Sequence, residues 1–143
     1  MEEEDMKRKT RKVVNELIDH FSQQANRSEI SQTLTHMQLF MSEIHAWADL
    51  TFGAKRKPEA VVHHLKKECD ELIESLKKPE DHFHIREELA DCFILILNVT
   101  SKAGYDFPTL LRDAKAKMDI NKARKWGKPD KNGVVEHIKS PAK

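Results

Sequence analysis

Glycine, aromatic residues and cysteine are all scarce in this chain, and each shortage removes a class of protein. Four glycines in 143 residues form no glycine-rich phosphate loop, and no strand–turn–helix setting exists for one. Aromatics make up 6% of the chain, and no segment alternates apolar with polar residues long enough to be a useful strand. Cys69 and Cys92, the two cysteines, lack metal-ligand spacing. Both fall on apolar stripes and read as reduced core thiols. A net charge of +1 gives no overall field to attract nucleic acid or an anionic membrane. No secretory leader is visible, and the longest apolar run is far too short to span a bilayer. Histidine is not scarce, but its arrangement excludes the usual zinc sites. His63 and His64 are adjacent and diverge on a helix, while His36, His45, His82, His84 and His137 show no ligand spacing. No Ser-His-Asp arrangement is present either.

What remains is charge and helical periodicity. Charged residues are 34% of the chain, which with so little Gly and Pro points to an all-α protein. The length suits one domain with a modest core. The acidic opening from Met1 to Asp5 is expected to fray. Val13, Val14, Leu17, Ile18 and Phe21 then recur at helical spacing, giving a short amphipathic helix to about Gln24. Residues 1–27 are therefore set apart as an N-terminal segment from a main domain over 28–143. Ser28 opens the next helix, with Ile30, Leu34, Met37, Phe40, Met41, Ile44 and Trp47 as its apolar positions, and Gly53 ends it.

After a basic loop, Lys55-Arg56-Lys57, Pro58 sits in the first turn of a third helix. Val61, Val62, Leu65, Cys69, Leu72, Ile73 and Leu76 form its stripe, with Glu68 at the border. A loop over 77–81 leads to a helix from about Phe83 to Ala103, apolar on nearly every side and so expected to be buried, with Gly104 closing it. Asp106 caps a last helix, with Pro108 in its first turn, that runs to about Lys125. The tail from Gly127 is irregular, and Val134 to Ile138 can form a short terminal helix or strand.

Two acid pairs stand out. Glu68-x-x-Glu71 and Glu88-x-x-Asp91 are each spaced to project from one helix face. Two such helices lying antiparallel would gather four carboxylates, a costly arrangement unless cations separate them. All-oxygen ligation suits a hard divalent ion such as Mg²⁺, which also favours substrate phosphates. The competing reading puts Asp91 against a Lys or Arg in the core. Asp70, Glu74, Glu80 and Glu87 read as an ordinary solvated charge run.

A second group supports a phosphorylated substrate. Lys117, Asn121 and Arg124 follow i, i+4, i+7 spacing on the last helix. A point charge, an amide and a bidentate fork on one face fit a polyphosphate. Trp47, just before a loop, offers a flat face for a nucleobase, whereas Phe52 reads as core.

These segments resemble a known family. The four acids, with the second pair inside "REELADCFILIL", resemble the metal motif of the MazG-like, all-α NTP pyrophosphohydrolases. "WADLTFG" at 47–53, "HLKKECDEL" at 64–72, "KMDINKARKW" at 117–126 and "VEHI" at 135–138 resemble the dATP/dGTP diphosphohydrolase branch. The resemblance covers about residues 45–139. It implies a MazG-like helical bundle whose sites are completed by oligomerisation, as a homodimer or homotetramer. It also implies cleavage of a nucleoside triphosphate, with dGTP or dATP preferred, between the α and β phosphates to monophosphate and pyrophosphate. Glu68, Glu71, Glu88 and Asp91 would hold Mg²⁺, with Mn²⁺ able to substitute, and one of them can act as a general base. Lys117, Asn121 and Arg124 match phosphate-contacting positions, and Trp47 matches an aromatic near the base. A soluble cytoplasmic setting follows, with a phage-encoded role open, and neither nucleic acid nor membrane as partner. Two other readings stand beside this one: a hydrolase of a pyrimidine or modified NTP, and a non-catalytic helical module that binds a protein partner.

Overall fold

The computed structural model describes residues 2–24 and 27–138. It consists of five helices: α1 (Glu2–Gln24), α2 (Arg27–Phe52), α3 (Pro58–Leu76), α4 (His82–Lys102) and α5 (Phe107–Ala123). The sole β pairing among the described residues is an isolated antiparallel bridge between Trp126 and His137. The all-α expectation holds.

Helix boundaries follow local chemistry. Asp81 caps α4 by accepting from the His84 backbone N–H at 3.2 Å, and Asp106 caps α5 by accepting from the Thr109 N–H at 2.8 Å. In each case a side-chain oxygen satisfies a backbone donor that the helix leaves unpaired. Pro58 opens α3, where its missing N–H costs nothing. At the end of α4, Gly104 takes φ +85°. Its N–H donates to Ser101 O at 2.9 Å and the Tyr105 N–H donates to Thr100 O at 3.1 Å, a Schellman closure.

Three sequence expectations are corrected here. The acidic opening is helical from Glu2 rather than frayed, and α1 runs for 23 residues. Acids at a helix N-terminus complement its dipole, and Asp5 also pairs with Arg8 at 3.0 Å and Lys9 at 2.8 Å. Among the described residues α1 packs against no other helix, and Val13, Val14 and Leu17 are exposed. The expected apolar positions Ile18 and Phe21 lie outside the residues whose side chains are described. Next, α4 is not buried all round: Leu89, Phe93 and Ile96 form an open stripe. Finally, α5 stops at Ala123, short of the expected Lys125. The tail instead folds back on itself, with the Gly127 N–H donating to Glu136 O and the Ile138 N–H donating to Lys125 O, both at 2.9 Å. The segment from Val134 to Ile138 thus holds one bridge and no longer strand or helix.

α4 is the centre of the bundle, touching α2, α3 and α5. Its Leu97, with 0% of its surface exposed, joins Met41 and Ile44 of α2 in the core. Met37, Ile94, Phe107 and Leu110 pack around them. On α3, Val61, Leu65, Glu68 and Leu72 are among the buried or half-buried positions, while Val62, Cys69, Ile73 and Leu76 are exposed. Steps of four, three and four residues keep the first set on one helix face. Glu68 therefore lies in the middle of the packed face rather than at its border.

Candidate metal centre

The α3–α4 pair positions the acids. Glu68, Glu71 and Glu88 each offer one carboxylate oxygen, and these atoms lie within 4.8 Å of one another. Glu68 and Glu88 are half-buried and Glu71 is exposed. His64, one turn before Glu68, places its Nε2 2.8 Å from Glu68 Oε1. Glu88 Oε2 is buried and has no hydrogen-bond partner. Burial, reinforced by the neighbouring charges of Glu71, Glu68, Asp91 and Glu87, raises the Glu88 carboxyl above its ordinary pKa of 4.5. Three converging carboxylates, one with a desolvated and unpartnered oxygen, fit a hard divalent cation. Among the described residues, no other set of three His, Cys, Asp or Glu side chains converges in this way.

Asp91 stands outside that set of three. It is exposed, so the core ion pair considered for it does not occur. Asp70 and Glu74, read from sequence as a solvated run, line an open cleft of about 500 Å³ together with Glu71, Ile73, Ser75 and Glu88. The cleft continues the carboxylate cluster outward along α3.

The basic residues lie elsewhere on the same chain. α5 packs on α2 and α4, and among the described residues it makes no packing contact with α3. Lys117 is exposed and Asn121 is half-buried. Arg124 lies one residue beyond α5 with an extended backbone, so it no longer shares a helix face with Lys117. Its Nη1 nevertheless donates to Asn121 Oδ1 at 3.0 Å, keeping the two together. Trp126 braces this corner, its Nε1–H donating to Asn121 O at 3.1 Å.

Trp47 is 53% exposed near the end of α2. Phe52 meets it edge-on at 5.4 Å between ring centroids, and the Arg56 guanidinium lies 5.0 Å from the centre of the Phe52 ring. Phe52 is itself exposed, which corrects the expectation that it is core. Beside it, Lys102 Nζ reaches Asp49 Oδ1 at 2.7 Å with only 5% of its side chain exposed. That pair ties α2 to the end of α4, and the lysine ammonium holds the Asp49 carboxyl below its ordinary range.

Two features escaped the reading of the sequence. Asn98, 1% exposed, has an Oδ1 with no hydrogen-bond partner. Its spacing of seven residues from Asp91 puts both on one stripe of α4, and that spacing was the available signal. The cysteines also meet: Cys69 Sγ and Cys92 Sγ are 3.9 Å apart. Cys92 is buried as expected, but Cys69 is exposed. Burial pushes the Cys92 thiol up to about 11, with the adjacent Cys69 thiol adding to the shift.

With this geometry established, comparisons identify the lineage. The chain is similar to the solved structure of a Cyanophage S-2L MazG-like pyrophosphohydrolase bound to dGDP and three catalytic Mn²⁺ ions per active site. The TM-score is 0.54 at 30% identity, covering 74% of this chain and 97% of that one. The fold and the acid-bearing helix pair thus define a MazG-like pyrophosphohydrolase, an enzyme. Residues 40–143 match the family model for dATP/dGTP pyrophosphohydrolase, and the chain belongs to that family. A relative named dATP/dGTP diphosphohydrolase, also from Cyanophage S-2L, is 36% identical over 97 residues, covering 68% of this chain and 83% of the relative. Glu68, Glu71, Glu88, Asp91, Lys117 and Arg124 all fall within the matched region, while α1 and the first half of α2 lie before it.

Proposed function

We propose that the protein is a Mg²⁺-dependent nucleoside triphosphate pyrophosphohydrolase that acts on a purine deoxynucleotide, dGTP or dATP. It cleaves between the α and β phosphates and releases the monophosphate and pyrophosphate. The convergence of Glu68, Glu71 and Glu88, with a buried Glu88 oxygen left unpartnered, carries this reading. The names of the relatives supply the purine preference.

Glu68, Glu71 and Glu88 hold the metal, with Asp91 as a fourth acid one turn beyond Glu88. The ions found in the related structure make Mn²⁺ a fitting substitute for Mg²⁺. Bound divalent ions supply charge neutralisation for the polyphosphate and a more acidic water as nucleophile. The chain's own residues do the rest. His64 fixes the orientation of Glu68, and the open cleft beside Glu71 and Glu88 admits the phosphates. Lys117, Asn121 and Arg124 bind phosphate oxygens, and Trp47 packs on the nucleobase.

The absence of packing between α5 and α3 among the described residues supports a reading in which the basic residues serve the carboxylates of a second copy. The open stripe Leu89, Phe93 and Ile96 on α4 gives such a copy apolar surface to cover. The proposal includes a homodimer or homotetramer acting in the cytoplasm, and the cyanophage origin of the relatives supports a viral setting. No described helix is long and apolar enough to cross a membrane.

The test is a panel of the common NTPs and dNTPs with Mg²⁺ or Mn²⁺, with nucleotide products resolved and pyrophosphate distinguished from phosphate. Monophosphate plus pyrophosphate from dGTP or dATP is expected. Orthophosphate release, or turnover confined to pyrimidines, overturns the corresponding part of the proposal.

A further inference from the structure

The two helices that carry the acids also carry both cysteines, each directly following an acid: Glu68-Cys69 and Asp91-Cys92. Their sulfurs lie 3.9 Å apart across the α3–α4 seam. No carboxylate or imidazole joins them to make a metal-ligating group, since the single convergent set among the described residues is Glu68, Glu71 and Glu88. The chemistry left to two neighbouring thiols is oxidation. We infer that Cys69 and Cys92 form an oxidisable dithiol whose closure to a disulfide clamps α3 to α4 beside the carboxylates and weakens their hold on divalent metal.

Exposure sets the order of events. Cys69 is exposed and Cys92 buried, so Cys69 meets a peroxide first. Its sulfur attacks one peroxide oxygen, giving Cys69–SOH and one water. The Cys92 sulfur then attacks the Cys69 sulfur, the S–S bond forms and the S–O bond breaks. The departing hydroxide leaves as a second water with the Cys92 proton. Two thiols lose two electrons, and one peroxide becomes two waters. A dithiol reductant reverses the closure by exchange.

The consequence for metal binding comes from distance. A disulfide needs its sulfurs at about 2.05 Å, so the pair must close from 3.9 Å. Cys69 is the neighbour of Glu68, and Cys92 lies one turn beyond Glu88 on the same side of α4. Metal-ligand distances tolerate only about 0.2 Å of error. Whatever part of that closure the two backbones take up, beyond side-chain rotation, displaces Glu68 relative to Glu88 and so weakens the site.

This inference rests on the metal reading above, and its test separates the two. Full-length protein is treated with hydrogen peroxide, digested without reduction and mapped by mass, while Mn²⁺ affinity is measured by titration calorimetry before and after. The expected result is one intrachain Cys69–Cys92 disulfide, at least tenfold weaker Mn²⁺ binding, and full recovery with dithiothreitol. A Cys69→Ser variant should bind Mn²⁺ like the parent and ignore peroxide. Interchain bridges, sulfinic acid in place of a disulfide, or a Cys69 that does not react in the native protein overturn the dithiol. A disulfide with unchanged Mn²⁺ affinity overturns the clamp. Absence of Mn²⁺ binding in the reduced protein instead sinks the metal reading, and the clamp with it.

Discussion

The first half of α4 turns Glu88 toward Glu68 and Glu71 of α3, whereas its second half turns Leu97 into Met41 and Ile44 of α2. Both ends are packed, but for opposite returns. Around Leu97 an apolar cluster gathers and its burial lowers the free energy of the native chain. Around Glu88 burial and like charge both raise it, leaving a carboxyl with an elevated pKa and an unpartnered oxygen. One helix thus holds a stabilising end and a strained end. Strain of this kind is expected where a site is organised for a ligand that the polypeptide itself does not supply.

The sharpest way to break that contrast is Glu88→Gln. Loss of a residue that merely supports a metal ligand costs about 10- to 100-fold, so loss of the ligand itself should lower kcat with Mn²⁺ or Mg²⁺ by about 1,000-fold. The metal-free melting temperature should not fall. Steady-state turnover and a melting curve on the same preparation check both halves. A variant that turns over normally removes Glu88 from the site.

Leu97→Ala should do the reverse. Removing a fully buried leucine from a packed cluster costs about 3 kcal/mol of stability, read as a lower denaturation midpoint with an unchanged slope. Since α3 and its acids do not contact this cluster, turnover per folded molecule should stay close to the parent's. A large fall in kcat without a fall in stability would mean that the two ends are not separable.

How far each end could be read beforehand differs for a physical reason. Caps and breakers act locally, so Gly104 marked the end of α4 and Asp106 the start of α5 from sequence. The convergence of Glu68, Glu71 and Glu88 was equally legible, because i, i+3 spacing fixes a helix face without knowledge of the partner, whereas Asp91 did not join them. Which face of α3 packs was not legible. Val62, Cys69, Ile73 and Leu76 outnumber the truly packed apolar residues, yet they are exposed. Only the antiparallel pairing with α4 selects Val61, Leu65, Glu68 and Leu72. The uniformly apolar run of α4 hid its open stripe in the same way, since composition cannot tell a helix covered by its own chain from one with a side left bare. The lack of packing between α5 and α3 among the described residues is likewise a property of tertiary contact, invisible to a helical wheel.

The finest test of the strained end compares the parent with Glu88→Gln across acid pH, without metal. In the folded chain the Glu88 carboxyl binds its proton more tightly than the ordinary value of 4.5 allows, so over the window just above 4.5 the native state holds more protons at this site than the unfolded one. Stability must then fall as pH rises through that window and level off above the raised pKa. Glutamine cannot ionise, so the variant lacks this fall. Subtracting one melting profile from the other cancels the remaining groups, including Asp49, Asp81 and Asp106, whose lowered pKa values act in the opposite sense. The expected result is a small advantage for Glu88→Gln that grows from about pH 4.5 and then holds. Added Mn²⁺ should invert the order at neutral pH, because a ligand that binds only the native state raises the parent's midpoint and leaves the variant's behind. Parallel profiles with no crossover would show that Glu88 is not strained, and that the carboxylate end of α4 is as much a stabilising contact as the end built on Leu97.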